Sequence, residues 1–172
     1  MNHINHVTLK KKALNYMKER RWDTRLPRVY NELKTMFIFG KENDIKNGLH
    51  IGLIDISEVK GAIECGGKTE QIDFLRASID GIDFMIGGES STNQIGKIST
   101  VSLVINNRCH VTARYFNDNL CEVEEFHESE EIETVLCSLE NGIRQRKLKE
   151  VRDDFEAKEE VYKDRFTFKS SD

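Results

Sequence analysis

The chain has 172 residues, is 38% hydrophobic and 33% charged, and carries a net charge of −4. That is long enough to bury one core without disulfides or metal, and the composition is globular rather than fibrous or disordered. No apolar run approaches a membrane span, the opening MNHINHVTLKKK lacks the apolar stretch of a signal peptide, and the cysteines at 65, 109, 121 and 137 form no CxxC pair, which together point to a cytoplasmic protein.

In chain order, residues 8–21 read as a helix capped by Thr8, with Leu14 and Met17 on one side and a largely basic surface. Asp23 and Thr24 then restart the chain as caps. Pro27 suits a first helical turn, and Leu26, Tyr30, Leu33 and Phe37 follow at helical spacing until Gly40. This second helix has a clear buried stripe, whereas the first has less to dock with. After the polar linker Lys41–Gly48, Leu49–Ile56 is apolar and β-branched, and Val59, Gly61, Ile63 and Cys65 alternate behind it. A hairpin turning at Ser57-Glu58 fits, with a short helix over Glu58–Cys65 as the competitor.

Ile72–Ile79 and Ile82–Ile86 flank Asp80-Gly81, a dipeptide that accepts the left-handed backbone of a two-residue hairpin turn. That turn pairs Ile79 with Ile82, Ala77 with Phe84 and Leu75 with Ile86, all on one face. Gly87–Lys97 reads as a polar, flexible connector. Ile98–Ile105, Arg108–Phe116 and Leu120–Phe126 form a three-stranded meander broken at Asn106-Asn107 and Asn117–Asn119. Matching apolar side chains favours three-residue loops at both breaks, which place Cys109 and Cys121 on the core face with Leu103, Val111, Ala113, Tyr115 and Val123. The other face then pairs Arg114 with Glu122 and Thr112 with Glu124, is solvated, and carries His110.

Ser129 caps a final helix whose first turn holds Glu130, Glu131 and Glu133 and whose core stripe is Ile132, Leu136, Leu139 and Ile143. The stripe loses phase around Asn141-Gly142. The segment beyond, to about Arg165, carries Leu148, Val151 and Phe155 among charges spaced four apart, such as Lys149 with Asp153, Arg152 with Glu156 and Glu159 with Lys163. The expected fold is therefore α+β: two N-terminal helices, an antiparallel sheet of five to seven strands built of hairpins and a meander, and a C-terminal helix packed on one face. The parts are a helical segment 1–39, a sheet 49–127 and a helix 129–165 with an exposed extension, all within one domain. The layout is comparable to that of small bacterial secretion chaperones, an analogy of fold alone.

Four patterns carry candidate chemistry. His6-Val7-Thr8 and His110-Val111-Thr112 are two H-x-T copies, and this pairing resembles the signature of 2H phosphoesterases. The resemblance implies that both imidazoles meet over a phosphodiester, one taking a proton and the other giving one, while the hydroxyls of Thr8 and Thr112 hold its oxygens. The first copy lacks a strand and adjoins a lysine-rich helix, so capping explains Thr8 better. Gly61–Thr69 (GAIECGGKT) resembles a P-loop but has five residues where that motif has four, and reads as a glycine turn. Glu58-Val59-Lys60 matches the E-x-K of metal-dependent nucleases, with Asp44 or Asp55 to supply a second carboxylate; in so charged a chain, chance explains it better. Cys109, His110, Cys121, His127 and Cys137 have no zinc-like ligand spacing. Neither a metal nor a cofactor is expected.

Charge is unevenly placed. Nine basic residues fall between Met1 and Phe39 against three acidic ones, and eight acidic residues and no Lys or Arg fall between Asn117 and Glu133. The basic head can complement the acidic body, or Lys10, Lys11, Lys12, Arg20 and Arg21, with Trp22 behind them, can meet nucleic-acid phosphates. The favoured reading is a non-enzymatic protein-binding module (an adaptor, chaperone, inhibitor or immunity-type protein). It would engage a protein partner, or a second copy as a homodimer, through Glu122, Glu124 and Glu125 and the helical residues Leu148, Val151 and Phe155. The alternatives are the 2H-like phosphoesterase and the nucleic-acid binder.

Overall fold

A computed structural model of the chain describes the backbone of residues 2–42, 49–51, 54–65 and 68–170, and the side chains of residues 9–38, 56, 57, 59 and 74–161. Helices α1 (Asn2–Glu19) and α2 (Trp22–Glu42) precede strands β1 (Leu49–Ile51), β2 (Ile54–Cys65), β3 (Lys68–Ile79), β4 (Ile82–Thr92), β5 (Lys97–Ile105), β6 (Arg108–Phe116) and β7 (Asn119–Phe126). Helix α3 (Glu130–Ser170) closes the order. The strands form one antiparallel sheet in the order of the sequence, β1 to β7. The expected α+β class, the two leading helices and the closing helix are all present.

Period-2 alternation decides which face is buried. Leu75, Ala77, Phe84, Ile86, Leu103, Val111, Ala113 and Val123 all point to one face and join a single apolar cluster. The same cluster holds Ala13 and Met17 of α1, Trp22, Leu26, Val29 and Leu33 of α2, and Ile132, Val135, Leu136, Leu139 and Ile143 of α3. All three helices therefore cover the same side of the sheet. On the other side Phe74 is buried against Met85 and Val104, and Ser102 and Thr112 are fully buried and share a hydrogen bond of 3.2 Å.

The Asp80-Gly81 hairpin has the predicted pairs Ile79–Ile82, Ala77–Phe84 and Leu75–Ile86, with both turn residues at positive φ. The meander differs in detail. Asn106 and Asn107 both have positive φ, as do Asn117 and Asp118, so each break is a two-residue turn followed by a bulge. Leu103 still meets Val111 and Val101 still meets Ala113, but Val104 meets Cys109, leaving His110 as the extra residue. Cys109 therefore leaves the core face, and its thiol lies 3.2 Å from the Thr112 hydroxyl. His110 is buried rather than solvated. At the second bulge Leu120 takes the core position beside Tyr115, so Cys121 is exposed; Arg114 pairs with Glu122 in register as expected, while Thr112 meets Glu125 rather than Glu124.

Other boundaries shift for packing reasons. Strand β4 runs through the expected connector to Thr92 because its two glycines seat rings. A Cβ on Gly87 would stand 2.6 Å from the Phe74 ring, and one on Gly88 would stand 2.7 Å from the Tyr30 ring. The connector shrinks to residues 93–96, held by Asn93 Oδ1 accepting from the backbone N–H groups of Ile95 and Gly96. Strand β2 passes straight through Ser57-Glu58; Leu49 pairs with Ile56, and neither a turn nor a helix forms at 58–65. GAIECGGKT spans the β2–β3 hairpin, with Cys65 opposite Lys68.

The helices also run longer than predicted. Helix α1 starts at Asn2, so Thr8 lies inside it and not at its N-terminal cap position. The break between α1 and α2 is Arg21 at φ 60°, which puts Asp23 and Thr24 inside α2 and Pro27 beyond its first turn; α2 continues past Gly40. Ser129 caps α3 as expected, its hydroxyl accepting from the Glu131 N–H at 3.1 Å.

Candidate functional site

Helix α3 spans 41 residues, about 60 Å at 1.5 Å per residue. Only its first part lies on the body. Among the described residues the last fully packed apolar side chain of α3 is Ile143, and Lys147 Nζ reaches Glu32 of α2 at 3.0 Å. From Lys147 to Val161 every residue is exposed. Among them Leu148 is 57%, Val151 68% and Phe155 66% exposed.

The phase slip at Asn141-Gly142 is therefore not a break in the helix. At 100° per residue, Leu148, Val151 and Phe155 point about 140° around the axis from the Ile132–Ile143 stripe. One continuous helix thus carries two apolar stripes, the first facing the sheet and the second facing away from it. The second stripe borders a groove of about 320 Å³ between α2 and α3, lined by Val29, Ile143, Leu148 and Val151 with Arg28, Glu32, Glu140, Arg144 and Lys147 at its margin. Residues 148, 151 and 155 appear in the sequence as a pattern; the contribution of Val29 and Ile143 depends on α2 packing beside α3, which no local signal reveals. Arg146–Glu150 and Asp154–Lys158 are ion pairs four apart on the same segment.

Half of the eight charged candidates are engaged within the molecule. Glu122 accepts from Lys10 at 3.0 Å, and Glu124, whose side chain is only 10% exposed, pairs with Arg114 at 2.6 Å. Glu125 is exposed. Arg20 lies over the Tyr16 ring, and Trp22 is buried with its indole N–H on Glu133, so it offers no face to a base. Lys11, Lys12 and Arg21 are exposed. Arg25 binds Glu133 and Glu140, and the hydrogen bonds it donates to Glu140 lead in holding its guanidinium above the ordinary arginine value. Burial pushes the Glu133 carboxyl up, but hydrogen bonds from Trp22 and Arg25 outweigh it and leave the group below its usual range.

The two H-x-T copies sit on different elements. The pairs Lys10–Glu122 and Tyr16–Glu128 show α1 running parallel to β7. Residue 6 thus stands ten residues from Tyr16, about 15 Å along the axis; the His6 and Thr8 side chains lie outside the described residues. His110 is at the other end, its carbonyl accepting from the His127 N–H at 2.7 Å. Its ring meets that of His127 edge-on at 5.0 Å, and its Nδ1–H donates to the Arg108 carbonyl. The neighbour of His110 is thus His127, a pairing that depends on the unforeseen bulge. Burial, then the nearby positive Arg108, lowers the His127 pKa. Among the described residues no three His, Cys, Asp or Glu side chains converge as metal ligands, and no helix is long and apolar enough to cross a membrane. Asp44 lies outside the described residues, as do the side chains of Asp55, Glu58 and Lys60.

A groove of about 500 Å³ also separates α1 from β7, floored by Ala13, Val123 and Phe126 and edged by Lys10, Lys12 and Glu128. No family model, curated protein or solved structure matches the chain.

Proposed function

We propose that this chain is a non-enzymatic protein-binding module, of the adaptor, chaperone, inhibitor or immunity type, that works by presenting the outer part of α3 to a protein partner. One observation carries the reading: α3 continues without interruption past its last packed residue and turns a second apolar stripe, Leu148, Val151 and Phe155, into solvent. Contiguous exposed apolar surface on a helix is expensive unless something covers it, and helices of this kind are read by partners through residues at three- and four-residue spacing. The sheet and the two leading helices serve as the rigid base for that projection. With Glu122 and Glu124 engaged internally, the acidic surface has a smaller share in binding than the helix.

A photo-crosslinking side chain at Phe155, in the native cell, tests this. The expected result is one discrete protein adduct that disappears in Leu148→Glu/Val151→Glu while the circular dichroism of the purified protein is unchanged. No adduct from Phe155 or from neighbouring stripe positions would sink the reading.

A further inference from the structure

We infer that the partner of the α3 projection is a second copy of this chain, bound antiparallel along residues 144–162. This rests on the binding-module reading and names its occupant.

Charge complementarity carries it. Residues 144–152 hold five basic side chains against one acidic, whereas residues 153–160 hold five acidic against one basic. The division falls beside the apolar stripe, between Val151 and Phe155. Two such helices laid parallel would set basic on basic and acidic on acidic. Laid antiparallel, with a two-fold axis near Asp153, each basic half faces the other's acidic half, and Val151 comes level with Phe155 of the second copy. Charges flanking an apolar seam choose orientation and partner in this way.

The groove supplies a second, independent observation. An antiparallel helix seated on the stripe runs on toward the body and enters the space between α2 and α3. There its acidic half, including residues 159 and 160, arrives beside Arg144, and beside Arg28 and Lys147, which also hold Glu140 and Glu32 of the same lining, over the apolar floor of Val29 and Ile143. The stripe and the groove share Leu148 and Val151, so one helix covers both. Phe155 follows Leu148 by seven residues, the interval of a left-handed two-helix seam.

The test is light scattering on the full-length protein, joined with distances between spin labels attached through unnatural side chains. The expected mass is twice the 19.9 kDa of one chain, falling to one chain in Leu148→Glu/Phe155→Glu with helicity retained. Reversing Arg144, Lys147 and Lys149 to glutamate gives a monomer, reversing Glu156, Glu159 and Glu160 to lysine gives another, and mixing the two restores the dimer. Labels at residue 153 come within about 10 Å across the dimer, while labels at residue 161 stand about 24 Å apart along the axis. Labels at 161 as close as those at 153 would show a parallel pair and overturn the inference. So would a dimer that survives both sets of charge reversals unmixed. A monomer at every soluble concentration removes the second copy; if Phe155 then still crosslinks to a different protein, the binding-module reading stands, and if it crosslinks to nothing, both fall.

Discussion

The Arg25 guanidinium holds Glu140 through two of its nitrogens, Nη2 at 2.6 Å and Nε at 3.1 Å, and thereby fastens α2 to α3. The same side chain also reaches both oxygens of Glu133. Arg25→Ala leaves two carboxylates without this partner, one of them well shielded, and is expected to cost about 1–3 kcal/mol in urea unfolding.

The sign of the accompanying pH dependence follows from Glu133. Its folded pKa lies below the unfolded carboxylate value of about 4.3, so its contribution is complete above that value and is lost as pH falls through the lower folded one. The urea midpoint of the native chain is expected to drop below about pH 4. In Arg25→Ala that drop should be shallower, and an equally steep one would assign it to other carboxylates.

Tyr115 lies in the core with its hydroxyl unpartnered among the described residues. Burial, and then the charge of Asp23, pushes its pKa well above the ordinary tyrosine value. Removing an unsatisfied buried oxygen while keeping the ring is expected to stabilise, so Tyr115→Phe should raise the unfolding free energy by about 1 kcal/mol. A loss of similar size would mean that the hydroxyl is satisfied by water.

Gly87→Ala and Gly88→Ala push a methyl group into the rings of Phe74 and Tyr30, which are buried and cannot swing clear. Each is expected to cost about 1–3 kcal/mol. Combining Gly87→Ala with Phe74→Leu should cost less than the sum of the two single changes. Strict additivity in that double-mutant cycle would contradict the close approach.

Cysteine labelling separates the two faces of the bulge. Burial pushes the Cys109 thiol up to about 11, against a smaller opposing effect of the Thr112 hydroxyl, so roughly one molecule in a thousand is thiolate there at pH 8. Exposed Cys121 is expected to react with iodoacetamide far ahead of Cys109, as read by peptide mass spectrometry over time. The reverse order would place Cys109 outside its bulge.

Much of the sheet was legible because alternation and turn chemistry agree: Ile79 and Ile82 meet across Asp80-Gly81 as their types require. The bulges at His110 and Cys121 were not. The pairs Leu103–Val111 and Ala113–Val123 fit a long loop as well as a short one plus a bulge, and only the positive φ of both turn residues distinguishes them. Strand β4 escaped reading because Gly87 and Gly88 look like a loop until Phe74 and Tyr30 are placed over them. At the candidate site, Leu148, Val151 and Phe155 announce themselves by spacing. The internal partners of Glu122 and Glu124 do not, since Lys10 is 112 residues away and the bond from Arg114 crosses between strands.

The strict β1-to-β7 order has a kinetic consequence. Every strand pairs with its neighbour in sequence, so the sheet can assemble hairpin by hairpin while the chain is being synthesised, at little cost in loop closure. Its apolar face, however, is complete only when Ile132, Leu136, Leu139 and Ile143 arrive, after all seven strands have left the ribosome. Helices α1 and α2 are made first and can cover their part of that face, but until α3 arrives the remainder faces water on a formed sheet, and that interval is when nascent chains of this protein are most prone to stick to one another.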